Sequence, residues 1–88
     1  MKRFFGKVHG EKGFTVIEFK AKDIAVGDEF TTQADQGEVW FRAEELKPAK
    51  NGIIDVLGAV VQANLDTDYV VGDSEWMDLA EDELVIVR

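Results

Sequence analysis

Residues 53–65 read IIDVLGAVVQANL, and this stretch decides which of two folds the chain adopts. Its apolar residues fit one face of a helix, but Ile54, Val56 and Val60 also fit one face of a strand. The β-branched residues and the central Gly58 disfavour a helix, and the negative charge of Asp66-Thr67-Asp68 would lie at the unfavourable C-terminal end of a helix dipole. We therefore predict a strand over 53–65, with a helix there as the alternative.

Several other segments also have the composition of β-strands. Branched and aromatic residues are concentrated in them, and in 14–21 apolar and charged residues alternate. The first two segments flank His9–Gly13, whose two glycines suit a short hairpin loop. The predicted strands are Phe4–Val8, Phe14–Ala21, Glu29–Gln33, Glu38–Arg42 and Leu84–Val87.

The remaining segments are predicted mainly as connections. Ala34–Gly37 has the composition of a turn, and Lys47–Gly52, which contains the only proline, is predicted to be a loop. Ala43–Leu46 could form one helical turn. Tyr69–Val71 is predicted to return as a strand alongside 53–65.

These elements predict a single, mostly β domain over residues 1–88. We expect a small antiparallel β-barrel or rolled sheet of about five to seven strands, of the OB or SH3-like kind, which could include one short helix. An α+β roll is the alternative if residues 53–65 form a helix. The tryptophans and phenylalanines are expected to fill the core.

Three parts of the sequence follow one another as in a known class of barrels. They are Gly6-Lys7-Val8, Glu11-Lys12-Gly13-Phe14 and Glu38–Leu46. Their order resembles the cold-shock domains, which are barrels that bind single-stranded nucleic acid. The chain departs from that family after Val8, where His9 and Gly10 stand in place of aromatic residues, and it lacks a Gly-Phe repeat after Phe14. The resemblance therefore implies a barrel architecture and not nucleic-acid binding.

Charge is distributed unevenly along the chain. The formal net charge is −8, from 18 acidic and ten basic residues. Residues 1–22 carry a net +4 and residues 23–88 a net −12, and no lysine or arginine occurs between Asp66 and Glu83. Such a stretch repels phosphate and attracts cationic protein surfaces. We predict that its eight carboxylates form one outward partner-binding surface: Asp66, Asp68, Asp73, Glu75, Asp78, Glu81, Asp82 and Glu83.

The residues that catalysis would need are scarce. His9, the only histidine, lies in a predicted turn, and Ser74, the only serine, lacks a Gly-x-Ser-x-Gly context. There is no cysteine and no glycine-rich phosphate loop, so we predict no catalytic residue, no enzyme activity and no cofactor. A calcium loop starting at Asp66 fails because Val71 and Met77 stand where glycine and glutamate are required, and no metal site is predicted.

By elimination, the sequence predicts a non-enzymatic, acidic interaction module that binds a basic protein, as an inhibitor or a nucleic-acid mimic. One alternative is a subunit of a larger assembly that pairs through a sheet edge at Leu84–Val87. Another is a small barrel that binds nucleic acid through the basic residues of its N-terminal hairpin, although nucleic acid is not the expected partner. Those basic residues are Lys2, Arg3, Lys7, Lys12, Lys20 and Lys22.

The composition also bears on location. The chain has no cysteine and no apolar stretch near the roughly 20 residues that cross a bilayer, which predicts a cytoplasmic protein without a membrane span. Residues 6–9 interrupt a signal-like beginning, so we expect a mature N-terminus. The sequence does not indicate whether the chain forms a homo-oligomer.

Overall fold

The structure, a computed structural model that describes residues 17–88, contains one antiparallel sheet. A 3-10 turn, Ala21–Asp23, follows the first strand. The order across the sheet is β1-β6-β2-β3-β4-β5, so the last strand along the chain lies between the first two. The prediction of a mostly β fold is confirmed. The six strands are β1 (Ile17–Lys20), β2 (Glu29–Thr31), β3 (Val39–Lys50), β4 (Ile53–Ala63), β5 (Ser74–Ala80) and β6 (Leu84–Val87).

The prediction of a strand within 53–65 is confirmed by β4, and the helix alternative is wrong. β4 pairs with β3 on one side and β5 on the other. Ile54 and Val56 are buried on the face that carries the core, which we call the inner face, whereas Asp55 between them lies on the opposite, outer face. A central position in the sheet suits the β-branched residues of this segment.

The β3–β4 hairpin is longer than the sequence analysis predicted. Asn51 and Gly52 alone form its turn, with positive φ angles of 55° and 79°. Two consecutive positive φ angles are what a two-residue type I′ turn requires, and this turn matches the twist of the flanking strands. The predicted loop at Lys47–Gly52 is therefore wrong for residues 47–50, which belong to β3, and the connection consists of Asn51 and Gly52 alone. Pro48 lies at an irregularity in the β3–β4 register, where a missing N–H is tolerated.

The predicted helical turn at Ala43–Leu46 is also wrong. These residues continue β3, and the backbone N–H of Ala43 donates to the carbonyl oxygen of Asp28 at 2.8 Å. The carbonyl oxygen of Ala43 accepts from Gly27, also at 2.8 Å. These hydrogen bonds with the chain before β2 favour the extended backbone over a local helix.

The return strand of β4 is β5 and not Tyr69–Val71, so that prediction is wrong. The ring of Tyr69 packs edge to face on Phe41, with 5.5 Å between ring centroids. Val70 and Val71 stay outside the sheet and are 60% and 59% exposed. Packing of one aromatic ring against the core thus outweighs the strand propensity of the segment.

Other predicted elements agree with the structure. β6 has the predicted bounds and the turn at Ala34–Gly37 is present, whereas β2 ends at Thr31, two residues before the predicted end. Of the predicted N-terminal hairpin, only Ile17–Lys20 is described, as β1, and residues 4–16 lie outside the described part of the chain. Within residues 17–88 no ladder joins β1 to β5, so the sheet is open and not closed into a barrel.

The core lies on the inner face. Phe30 and Phe41 are fully buried there with their ring centroids 5.7 Å apart. The two tryptophans depart from the predicted core. Trp40 is buried on the outer face beneath the guanidinium of Arg88, which lies 4.2 Å from the ring centroid, and Trp76 is 44% exposed.

Candidate binding cleft

A cleft of about 240 Å³ opens on the inner face between β5 and the loop that joins β2 to β3. Its lining combines apolar side chains with carboxylates. Among residues 17–88, no lysine or arginine lines the cleft. The larger apolar and aromatic lining residues are Phe41, Tyr69, Met77 and Leu79, and the acidic lining residues are Asp35, Glu75, Asp78 and Glu83.

A different local feature positions each of Glu75, Asp35 and Glu83. Strand alternation directs Glu75, together with Met77 and Leu79, to the inner face of β5. Asp35 is held in the β2–β3 loop by Thr32, whose hydroxyl donates to the Asp35 carboxylate at 2.8 Å. Glu83 lies in the β5–β6 turn, where its N–H donates to the carbonyl oxygen of Ala80.

The pKa of Tyr69 indicates that the cleft has a negative electrostatic potential. Burial of its ring raises the pKa of the phenol above its ordinary value of 10.0, and the nearby carboxylates of Asp35, Glu75 and Asp68 raise it further. Negative charge around a phenol disfavours the phenolate. A cation placed in the cleft would therefore meet a favourable potential and an aromatic ring.

A second set of charged and aromatic side chains lies on the outer face. Asp78 stands opposite Asp55 in the β4–β5 ladder, and a hydrogen bond and charge repulsion from Asp55 raise the pKa of the Asp78 carboxyl. On the same face, the Lys47 ammonium lies 4.5 Å from the centroid of the Trp76 ring. The outer face therefore carries a lysine, whereas residues 17–88 contribute none to the cleft lining.

The structure divides the eight carboxylates predicted to form one surface into separate groups. Glu75 and Glu83 line the cleft, and Asp78, which borders it, turns its carboxyl toward Asp55. Asp82 is approached by the ammonium groups of Lys20 and Lys22, each at 3.8 Å. The other four lie on loops and turns outside the cleft lining: Asp66, Asp68, Asp73 and Glu81.

Two residues of the cleft were missed by the sequence analysis. Asp35 was interpreted only as part of a turn, and Tyr69 only as part of a strand. Both enter the cleft because loops carry them against β5, a tertiary relationship that local composition does not encode. Thr32 followed by an aspartate three residues later was a local signal that this carboxylate is held in place.

The predicted assembly edge at Leu84–Val87 is wrong. β6 pairs with β1 along its whole length and with β2 at Ile86 and Val87, so it lies inside the sheet and not at an edge. Among residues 17–88, no three histidine, cysteine, aspartate or glutamate side chains come together as metal ligands would. No helix in the same range is long and apolar enough to span a membrane.

Comparison with known proteins found no matching family model, no matching curated protein and no matching solved structure.

Proposed function

We propose that this chain is a non-enzymatic, acidic interaction module that binds a basic segment of another protein and seats a cationic side chain in the cleft. The observation that carries this proposal is that Asp35, Glu75 and Glu83 line the same cleft as the aromatic ring of Tyr69, with no basic residue from the described part of the chain in the lining. Carboxylates supply charge-assisted hydrogen bonds to ammonium or guanidinium groups, and an aromatic ring adds a cation–π contact.

The size of the cleft supports a side chain as its occupant. Its volume of about 240 Å³ is below the roughly 300–1,000 Å³ typical of sites that enclose a whole small molecule. The net charge of −8 would attract a basic partner from a distance and speed its association. We place this module in the cytoplasm, because it lacks cysteine, and we relate its open antiparallel sheet to the OB or SH3-like kind.

An inhibitory role follows if the basic partner itself binds nucleic acid. Carboxylates displayed on a protein surface compete for the same lysines and arginines that bind phosphate groups. Direct nucleic-acid binding by this chain is the alternative, and it depends on basic residues of which four lie outside the described range. The other two, Lys20 and Lys22, already face Asp82, which offsets part of their charge.

A peptide titration tests the proposal. The probe is a fluorescently labelled lysine-rich peptide, and the reference variant is Glu75→Gln/Glu83→Gln. We expect this variant to bind about fivefold or more weakly than the wild type at low salt, since each exposed ion pair contributes up to about 1 kcal/mol. The matched control, Asp66→Asn/Asp73→Asn, removes the same charge outside the cleft lining and should change the affinity by less than about twofold.

Two outcomes contradict the proposal. Equal weakening by the two double variants would mean that only net charge matters and that the cleft has no role. Tighter binding of a single-stranded oligonucleotide than of the peptide would favour the nucleic-acid alternative instead.

A further inference from the structure

β5 ends the sheet with an edge that no strand in residues 17–88 occupies. Five of its seven residues are exposed, and only Met77 and Leu79 are not. An exposed edge strand offers unpaired N–H and C=O groups to any extended segment that can reach it. As far as residues 17–88 are concerned, the edge of β5 is therefore open to strand addition.

The register of the β4–β5 ladder shows which backbone groups of β5 point away from β4. The hydrogen bond between Asp73 and Val60 at one end of the ladder and that between Glu81 and Gly52 at the other both involve odd-numbered residues on the β5 side. Because hydrogen-bonded pairs alternate in an antiparallel ladder, the odd-numbered residues of β5 face β4. The even-numbered residues point their backbone groups outward: Ser74, Trp76, Asp78 and Ala80.

Natural edge strands are commonly protected by lysine or proline, and β5 has neither. Its charged residues are Glu75 on the inner face and Asp78 on the outer face. A second copy of the chain would bring the same carboxylates to the edge and would be repelled. A segment with positive charge is instead complementary to this edge.

We propose that β5 receives an extended, lysine- or arginine-rich segment of a protein partner as an additional antiparallel strand, with its basic side chains on the inner face. This inference rests on the proposed function, because it states how the basic partner binds. The inner face is the favoured side since the cleft, with Asp35, Glu75 and Glu83 in its lining, opens there, whereas Lys47 lies on the outer face. All described ladders are antiparallel, which is also the more stable pairing.

The geometry separates the residues of the added strand into two sets. Residues of the added strand that hydrogen-bond to Trp76 and Asp78 place their side chains on the outer face. The alternate residues of the added strand place their side chains on the inner face, over the cleft. A peptide that alternates lysine and threonine would therefore direct its lysines to the cleft and use its threonine amides for pairing with β5. The contacts of the lysine side chains with the cleft and the hydrogen bonds of the threonine amides with β5 can therefore be removed independently.

The test compares three capped lysine–threonine peptides that match the seven residues of β5 in length and have the same charge. One is unmodified, one is N-methylated at the threonine amides, and one is N-methylated at the lysine amides. We expect methylation of the threonine amides to weaken binding by about tenfold or more, since it removes several hydrogen bonds. Methylation of the lysine amides should leave the affinity within about threefold of the unmodified peptide.

Variants of the protein give a second measurement. Asp78→Pro and Asp78→Asn remove the same charge, but only proline removes the outward N–H, a position that an edge strand tolerates. Asp78→Pro should bind the unmodified peptide about threefold to tenfold more weakly than Asp78→Asn, the loss expected for one hydrogen bond. Hydrogen exchange should show that the peptide protects the amides of Trp76 and Asp78.

Each remaining outcome is decisive. If both methylated peptides bind like the unmodified one, strand addition is wrong and the proposed function still stands. If lysine-amide methylation alone abolishes binding, the basic side chains do not lie over the cleft and the inference is overturned. If no peptide binds at low salt, the proposed function itself fails.

Discussion

Asp55 and Asp78 face each other across the β4–β5 ladder on the outer face, although both are carboxylates. A hydrogen bond that the protonated Asp78 carboxyl donates to Asp55, together with the negative charge of Asp55, raises the pKa of Asp78. Like charges placed directly opposite each other destabilise a sheet. The Asp55–Asp78 pair therefore destabilises the folded protein at its edge strand.

Replacing one carboxylate of this pair should stabilise the protein. We expect Asp78→Asn to raise the Tm by a few degrees at neutral pH, because the repulsion disappears and the amide can donate to Asp55. Thermal unfolding followed by circular dichroism measures the shift. Asp66→Asn removes the same charge in an exposed loop and should leave the Tm nearly unchanged. An equal gain in both variants would show that net charge alone was responsible.

The same pair predicts a pH dependence with a definite sign. The pKa of Asp78 is raised in the folded state, so its protonated form stabilises the fold fully below the ordinary value of 3.8. This stabilisation is lost as the pH rises through the higher folded-state pKa. The difference in Tm between Asp78→Asn and the wild type should therefore be small at acidic pH and grow as the pH rises above 3.8. A difference that is constant with pH would contradict the assignment.

Gly58 in β4 leaves room for two neighbours that line the cleft. A Cβ at this position would lie 2.9 Å from the terminal methyl of Met77 and 3.1 Å from the Cβ of Phe41. We expect Gly58→Ala to lower the free energy of unfolding by about 1–3 kcal/mol, as overpacking does. Adding Met77→Ala should recover only part of the loss, because Phe41 cannot move as freely. Urea unfolding of the single and double variants measures both values, and a fully stable Gly58→Ala would contradict the close contact.

The Asn51–Gly52 turn predicts a loss of a different kind. Nothing lies within 4 Å of a Cβ added at Gly52, but its φ of 79° is costly for a residue with a side chain. Gly52→Ala should therefore destabilise the protein by about 1–2 kcal/mol through the backbone alone. Asn51→Gly is the control, since glycine accepts the φ of 55° at that position, and should change stability by less than about 1 kcal/mol. A larger loss in the control would show that the Asn51 side chain, and not the backbone angle, holds the turn.

The local β-structure was largely predictable from the sequence, and the pairing was not. Alternation and β-branching identified β2, β4 and β6 because side chains on a half-buried strand must alternate. The insertion of β6 between β1 and β2 joins residues far apart in the chain, which no local pattern specifies. Asn51–Gly52 was a strong hairpin signal, but the proline nearby favoured the interpretation as a loop.

The candidate site was predictable only in part for the same reason. The acidic stretch contributed Glu75 and Glu83 to the cleft, but strand alternation turns Asp78 away from Glu75. Period-two alternation within 74–80 could have separated these two carboxylates in advance. Asp35 joins the cleft from a part of the chain some 40 residues earlier than Glu75, and only the fold brings the two together.

Arg88 connects three elements on the outer face and should be important for stability. Its guanidinium donates to Glu29 at 3.0 Å and to Gln62 at 2.9 Å, and it stacks on the buried ring of Trp40. Arg88→Met should lower the free energy of unfolding by about 1–2 kcal/mol. Arg88→Lys should lower it almost as much, because lysine lacks the planar guanidinium group with its several N–H donors. Arg42→Met is the control, since that exposed guanidinium contacts one carboxylate, and it should cost less than about 0.5 kcal/mol. Chemical unfolding decides between these values, and equal losses at the two arginines would contradict a special role for Arg88.

Tyr69 is the only tyrosine, so its ionisation can be followed directly by the near-ultraviolet absorbance of tyrosinate. Because burial and the nearby carboxylates raise its pKa, the Tyr69 phenol should titrate above 10.0 in the folded protein. The folded state is therefore stabilised while the phenol is protonated, and this stabilisation should be lost as the pH rises through the folded-state pKa. Glu75→Gln should lower the pKa of Tyr69 toward its ordinary value, whereas Asp66→Asn, which is not among the groups that raise it, should leave it unchanged. A bound lysine-rich peptide should lower it as well, since a cation in the cleft stabilises the phenolate. If the peptide binds and this pKa does not move, the cation lies outside the cleft, and the carboxylates around Tyr69 are not the binding site.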